Sequence, residues 1–206
     1  MIENTLKMAL SENYPMIIIF TIVMVAIRLM YLLVNNEKFV FYKELMSLVS
    51  LLYALLLFYV VTFQDVNYGT NNFVPFKEIF RYTFGSRVFI HNIIGNIILF
   101  VPFGYFVAHI MKTKNPLPTI IISLVTSSVI EFTQLKIGRT FDVDDIILNL
   151  IGSFLGALIY ITINCIENKL PSIFRTNLFK NIIVILFVIL IVILYSKYTF
   201  WGIIRW

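Results

Sequence analysis

Residues Pro118–Leu135, PTIIISLVTSSVIEFTQL, and Asp144–Ile166, DDIILNLIGSFLGALIYITINCI, are two long apolar runs joined only by KIGRTFDV. A helix needs roughly 20 mostly apolar residues to cross a bilayer, so each run is long enough to span one. The eight-residue junction then turns the chain straight back. The pair reads as a transmembrane helical hairpin with a polar turn at one membrane face. Working outward, similar runs occur at about Met16–Val34, Leu45–Phe63, Asn92–Met111 and Asn181–Tyr198. The expected fold is therefore an all-α polytopic bundle of about six transmembrane helices. Composition agrees. The 206 residues are 60% hydrophobic and 13% charged, with mean hydropathy +0.91. A soluble domain carries about 25% charged residues. Half that charge cannot cover a folded surface, which excludes a soluble enzyme and a disordered chain. The single cysteine, Cys165, excludes a disulfide scaffold. The net charge of +5 is scattered between apolar runs rather than gathered in a basic block, so nucleic acid is not an expected partner.

The remaining features set boundaries. Pro15 suits the first helical position of the first span. Glu3 and Glu12 precede a late apolar run with no small-residue cleavage site, so the N-terminus does not read as a cleavable signal. The last run ends in Tyr195, Tyr198, Phe200, Trp201 and Trp206, an expected aromatic belt at headgroup level. The longest connection, 64–91, mixes Phe73, Phe76, Ile79, Phe80 and Phe84 with Lys77, Arg81 and Arg87. It reads as an amphipathic segment lying on the membrane between the second and third spans. With no repeat or low-complexity stretch, 1–206 reads as one integral membrane domain, with 16–34 and 181–198 as additional helices. Six spans divide the Lys and Arg residues of the loops eight to seven. Setting aside Arg81, Arg87 and Arg139, which sit among functional-looking polar residues, leaves five against seven. By the positive-inside rule this places both termini and the polar turn outside.

The polar exceptions fall in stripes. Asn92 and Asn96 are four apart and share a helix face. Ser123, Ser127, Glu131 and Gln134 form a second stripe, and Asp145, Asn149, Gly152 and Gly156 a third. Alternating spans bring all three stripes to one membrane face, beside Arg139, Asp142 and Asp144 of the turn. Asn149 lies about 10 Å along the helix from Asp142, below the headgroups. An acidic group at that depth costs up to about 3 kcal/mol, so the carboxylates should face partners rather than lipid. The expected partners of Glu131, Asp142 and Asp145 are Arg139, Arg87 and Arg81, or a bound cation. Plainer roles compete. Asp142 or Asp144 fits an N-cap. Asn92 and Asn96 fit interhelical hydrogen bonding, and Gly152-Ser-Phe-Leu-Gly156 fits close packing. Pro102 and Gly104 fit a kink or a close helix contact. His91 and His109 read as interfacial residues, and Arg28 as a snorkelling or internally paired side chain.

Four blocks carry a family resemblance. They are Asn72-Phe-Val-Pro75-Phe76; Asn92, Gly95, Asn96, Phe100, Pro102 and Gly104; Glu131 and Gln134; and Gly138-Arg139-Thr-Phe-Asp142-Val-Asp144-Asp145, with Asn149, Gly152 and Gly156 behind it. In this order and spacing the chain resembles the VanZ-like family of bacterial membrane proteins. The resemblance covers about Asn71–Gly156 and implies a VanZ-like core at about 45–166. It implies a multi-pass protein of the bacterial cytoplasmic membrane, associated with the envelope and with lowered susceptibility to teicoplanin and related lipoglycopeptides. Because those antibiotics act outside the membrane, it also implies an outward-facing motif.

Carboxylates, arginines and carboxamides at one face point to an anionic envelope lipid or a lipid-linked cell-wall precursor. Arginine forks match phosphate, and here those are Arg139, Arg87 and Arg81. Asn92, Asn96, Gln134 and Asn149 complete the expected headgroup site, with Asn72, Pro75 and Phe76 in the adjoining loop. Asp145, Asp142 and Glu131 are candidates for general-base work or for holding a divalent cation such as Mg²⁺. A metal bridging a lipid-linked phosphate would support hydrolase or transferase chemistry. No Ser-His-Asp or Cys-His set is visible for acyl chemistry. The alternatives are a non-enzymatic module that alters antibiotic access to its target or binds the antibiotic itself, and, ranked below it, a small lipid transporter. The transporter lacks the expected repeat.

Overall fold

In a computed structural model, residues 2–63 and 70–204 are described, with side chains at 15, 17–61 and 70–193. Two long helices, α1 (Ile2–Val34) and α2 (Phe41–Phe63), are followed by the short α3 (Lys77–Arg81). Next come α4 (Arg87–Phe89), a π-helical turn (Ile90–Ile94) and α5 (Gly95–Met111), which run on as one rod. The hairpin α6 (Leu117–Lys136) and α7 (Val143–Lys169) precedes α8 (Asn177–Ile204). Among the described residues, five stretches are long and apolar enough to cross a membrane: Ile17–Val34, Phe41–Val61, Arg87–Met111, Leu117–Lys136 and Val143–Lys169. The sixth expected run is helical over Asn177–Ile204, with its described apolar part at Asn177–Ile193. The all-α membrane bundle is therefore observed. The expected aromatic belt at 195–206 lies outside the described side chains.

Two boundaries differ from expectation. Pro15 lies inside α1 rather than at its start; a spanning helix tolerates such a break where neighbouring groups take up the freed backbone. The third span begins at Arg87, five residues before Asn92, because the π turn keeps the loop-derived segment helical.

The centre of the bundle is the crossing of α5 and α7. A Cβ at Gly156 would collide with the Val101 carbonyl and crowd the Tyr105 amide, and one at Gly152 would strike the Ile97 carbonyl. Gly104 meets the Ser153 backbone in the same way from the other helix. Only hydrogen side chains allow these backbones to approach so closely, the small-xxx-small logic of membrane helices. The close-packing role of Gly152, Gly156 and Gly104 thus holds. On the other face of α7, Asn149 donates to Ser127 Oγ at 2.8 Å, and the fully buried Thr119, Ser123 and Ser153 continue that α6–α7 seam. Leu57, Val61, Phe100 and Ile130 close the core from α2, α5 and α6. The Tyr53 hydroxyl donates to the Leu99 carbonyl, tying α2 to α5.

The outer helices attach by polar stitches. Arg28 grips Glu44 through Nε at 2.7 Å and a second guanidinium nitrogen at 3.2 Å, and stacks 5.0 Å over Tyr31. The internally paired role for Arg28 is the one observed. The Tyr42 amide donates to Asn181 Oδ1 at 2.9 Å, docking α8 on α2. His109 packs between Tyr105 and Tyr160, with ring centroids 6.2 and 5.6 Å away.

Candidate functional site

The polar turn between α6 and α7 is built first. Gly138, at φ +85°, lets α6 end, and the Arg139 amide returns to the Gln134 carbonyl at 2.9 Å. The chain then runs alongside Asn72 as an isolated parallel bridge. The Asn72 amide donates to the Phe141 carbonyl at 2.8 Å, and the Val143 amide to the Asn72 carbonyl at 3.0 Å. Asn71 Oδ1 accepts from the Phe141 amide at 3.0 Å, and Phe73 stacks on Phe141 at 5.2 Å. The segment after α2 is thus strapped to the turn by backbone hydrogen bonds together with Asn71 and the Phe73–Phe141 stack.

Four carboxylates meet here, and each has its own task. Glu131, 1% exposed, accepts from the Asp142 amide at 2.9 Å. Asp142 is the N-cap of α7, accepting from the Asp144 amide at 2.9 Å and from Asn72 Nδ2 at 2.8 Å. Burial raises the Asp142 pKa above the ordinary aspartate value, against the pull of those two hydrogen bonds. Asp144, 1% exposed, accepts from the backbone amides of Phe76, Glu78 and Ile79 at 2.5, 2.7 and 3.2 Å. It caps α3 from across the site. Asp145 accepts from Asn96 Nδ2 at 2.6 Å. Backbone amides and carboxamides donate to Glu131, Asp142, Asp144 and Asp145, since the turn and two helix starts present unpaired N–H groups at this point.

Above this turn lies a cavity of about 800 Å³ between the interfacial segment, the Arg87–Met111 rod and the hairpin. Arg87, Arg139, Asn92, Asn96, Gln134, Asp142 and Asp145 line it, so the structure brings these expected residues together. Gln134 Nε2 and an Arg139 guanidinium nitrogen both donate to the Val61 carbonyl, at 2.8 and 2.7 Å, which fixes them against the end of α2. The Arg87 guanidinium makes no ion pair or hydrogen bond with the described residues, while its carbonyl accepts from the Ile90 amide. Six expected residues stand apart from the lining. Arg81 is turned outward and pairs with Glu78 at 3.1 Å. Glu131 is sealed beneath the turn, and Asn149 is committed to Ser127. Asn72 is buried in the strap, and Pro75 and Phe76 sit on its exposed side. Among the described residues no group of three or more His, Cys, Asp or Glu side chains is placed to hold a metal ion.

Glu78, Tyr82 and His91 also line the cavity and lie outside the expected site, His91 having the sequence reading of an interfacial residue. His91 Nδ1 lies 3.0 Å from Asn92 Oδ1, Asn92 Nδ2 donates to the Tyr82 hydroxyl at 3.0 Å, and that hydroxyl reaches Glu78 at 3.5 Å. Burial raises the Tyr82 pKa, with the Asn92 contact opposing. The π turn places Asn92 and His91 in this chain, and no sequence periodicity announces a π turn. Phe80 and Phe84 are 83% and 91% exposed, as an interfacial segment requires.

A family model described as VanZ/LLP1 matches residues 45–164, well over half the chain. The chain belongs to the VanZ/LLP1 family. The matched region contains the strap, the polar turn and every cavity-lining residue of this VanZ/LLP1 protein; α1 and α8 fall outside it. No curated protein and no solved structure matches the chain.

Proposed function

We propose that this membrane protein binds the anionic headgroup of an envelope lipid or of a lipid-linked cell-wall precursor in the cavity, on the outer side of the bacterial cytoplasmic membrane. The observation that carries this reading is Arg87, a guanidinium lining a cavity of about 800 Å³ with no ion-pair partner among the described residues. An uncommitted guanidinium beside carboxamides is suited to a phosphate. Exposed Phe80 and Phe84 suit an interfacial position for this segment at headgroup level. Binding such a headgroup at the outer face lowers susceptibility to teicoplanin and related lipoglycopeptides by changing access to their target. Binding is favoured over metal-assisted phosphoryl transfer because Asp142, Asp144 and Glu131 already accept from backbone amides. Asp145 is the remaining carboxylate for chemistry, held by one carboxamide.

The test is phospholipid retained by the purified protein, read by native mass spectrometry and phosphate assay. Arg87→Ala should cut retained anionic lipid by about tenfold, the equivalent of one charge-assisted hydrogen bond, with unchanged thermal unfolding. Chelator should leave retention unchanged. Equal retention by the wild type and Arg87→Ala would reject the headgroup reading. Loss on chelation alone would replace it with a metal-bridged one.

A further inference from the structure

The relay His91–Asn92–Tyr82–Glu78 has a direction. Glu78 is a carboxylate, paired with Arg81 at 3.1 Å, and can only accept. The Tyr82 hydroxyl must therefore donate to it, and in turn accepts from Asn92 Nδ2. That orients the Asn92 amide with Oδ1 toward His91, so His91 Nδ1 carries the hydrogen that Oδ1 accepts. The tautomer is assigned by this chain of donors. In the neutral ring Nε2 is then a lone-pair acceptor. It is buried and has no partner among the described residues, and His91 is one of the residues lining the cavity. Arg87, four residues before it, supplies the cavity's uncommitted cation.

We propose that His91 Nε2 accepts a hydrogen bond from a hydroxyl of the ligand whose phosphate Arg87 holds, so that the site selects a phosphate carrying a neighbouring hydroxyl. This rests on the headgroup reading above and narrows its substrate class. A buried acceptor without a donor costs free energy, and a site built to bond a hydroxyl discriminates against the analogue that lacks one. His91 and Tyr82 differ in role: His91 touches the ligand, while Tyr82 is a positioning residue that acts through Asn92.

The full-length protein in nanodiscs of phosphatidylcholine is the test system, at mildly alkaline pH. Doped phosphatidylglycerol offers a phosphodiester with hydroxyls, and phosphatidylmethanol a phosphodiester without them. Soluble glycerol 1-phosphate distinguishes a free phosphate from a lipid. The wild type should prefer phosphatidylglycerol to phosphatidylmethanol about fivefold, the worth of one hydrogen bond. His91→Phe should abolish the preference while keeping the binding that Arg87 supplies. Independently of any variant, imidazole ¹⁵N spectra of the wild type should show the Nδ1–H form, with Nε2 shifting on phosphatidylglycerol and not on phosphatidylmethanol. Tyr82→Phe should mix the tautomers. Equal affinity for the two lipids, or an Nε2–H ring without ligand, overturns the inference and leaves the headgroup reading standing. No binding of either anionic lipid above phosphatidylcholine, and none of glycerol 1-phosphate, overturns both. Binding of glycerol 1-phosphate in preference to methyl phosphate, with neither lipid bound, upholds the inference and moves the ligand out of the lipid.

Discussion

Asp144 and Asp145 are neighbours in sequence and both line the cavity, yet only Asp144 clamps the loop. Asp144 is enclosed and receives three backbone amides from 76–79, so its negative charge is balanced by the start of a helix. Asp145 sits one residue further round the helix, where Asn96 meets it. Asp144→Ala should leave those amides without an acceptor and destabilise the strap by about 2 kcal/mol or more. Hydrogen exchange at the amides of 76, 78 and 79 should then rise sharply, while exchange in α5 and α7 stays slow. Unchanged protection at these amides would show that the strap is held by the Asn72 bridge alone. The residue types DVDD at 142–145 announce a polar helix start. Which of the three acids caps, which clamps the loop and which meets Asn96 depends on groups 49 to 70 residues away in the chain.

At the level of elements, the hairpin and the π-containing rod carry the site. The stripes Ser123–Gln134 and Asp145–Gly156 are legible because a helix repeats its faces every three or four residues. All four residues of the first stripe are buried in the structure. The second stripe divides: Asn149 serves the α6 seam, while Gly152 and Gly156 receive α5. Gly156→Leu should overpack the crossing and cost about 1–3 kcal/mol or more, since the obstructing atoms are backbone. Thermal unfolding in detergent should show a clear loss; a midpoint equal to wild type would mean that the two helices can separate without penalty. The π turn at 90–94 is the element that sequence reading passes over. It arises from how the loop-derived segment docks, and it puts His91 and Asn92 in contact with Tyr82.

For the whole molecule, alternation of the long helices puts the turns at 35–40, 112–116 and 170–176 on the face opposite the polar turn. Those turns carry Lys38, Lys112, Lys114 and Arg175, which is the basis for expecting the cavity outside. In a Cys165→Ser background, Phe84→Cys in intact cells should react with an impermeant maleimide, and Lys114→Cys only after lysis. The reverse pattern would invert the topology and remove the route to an outer-face ligand. Sequence by itself determined the membrane-helix character, the helical class and the end of the bundle where polar residues gather. These follow from run length, hydropathy and helical period, all local properties of the chain. Only the tertiary structure decided which polar residues share a cavity. Arg81, Glu131 and Asn149 are drawn away by local partners, while Glu78, Tyr82 and His91 are brought in by the strap and the π turn. The physical reason is that a buried hydrogen-bonding group takes whichever partner the packed backbone supplies, and those partners are set by contacts that no local pattern encodes.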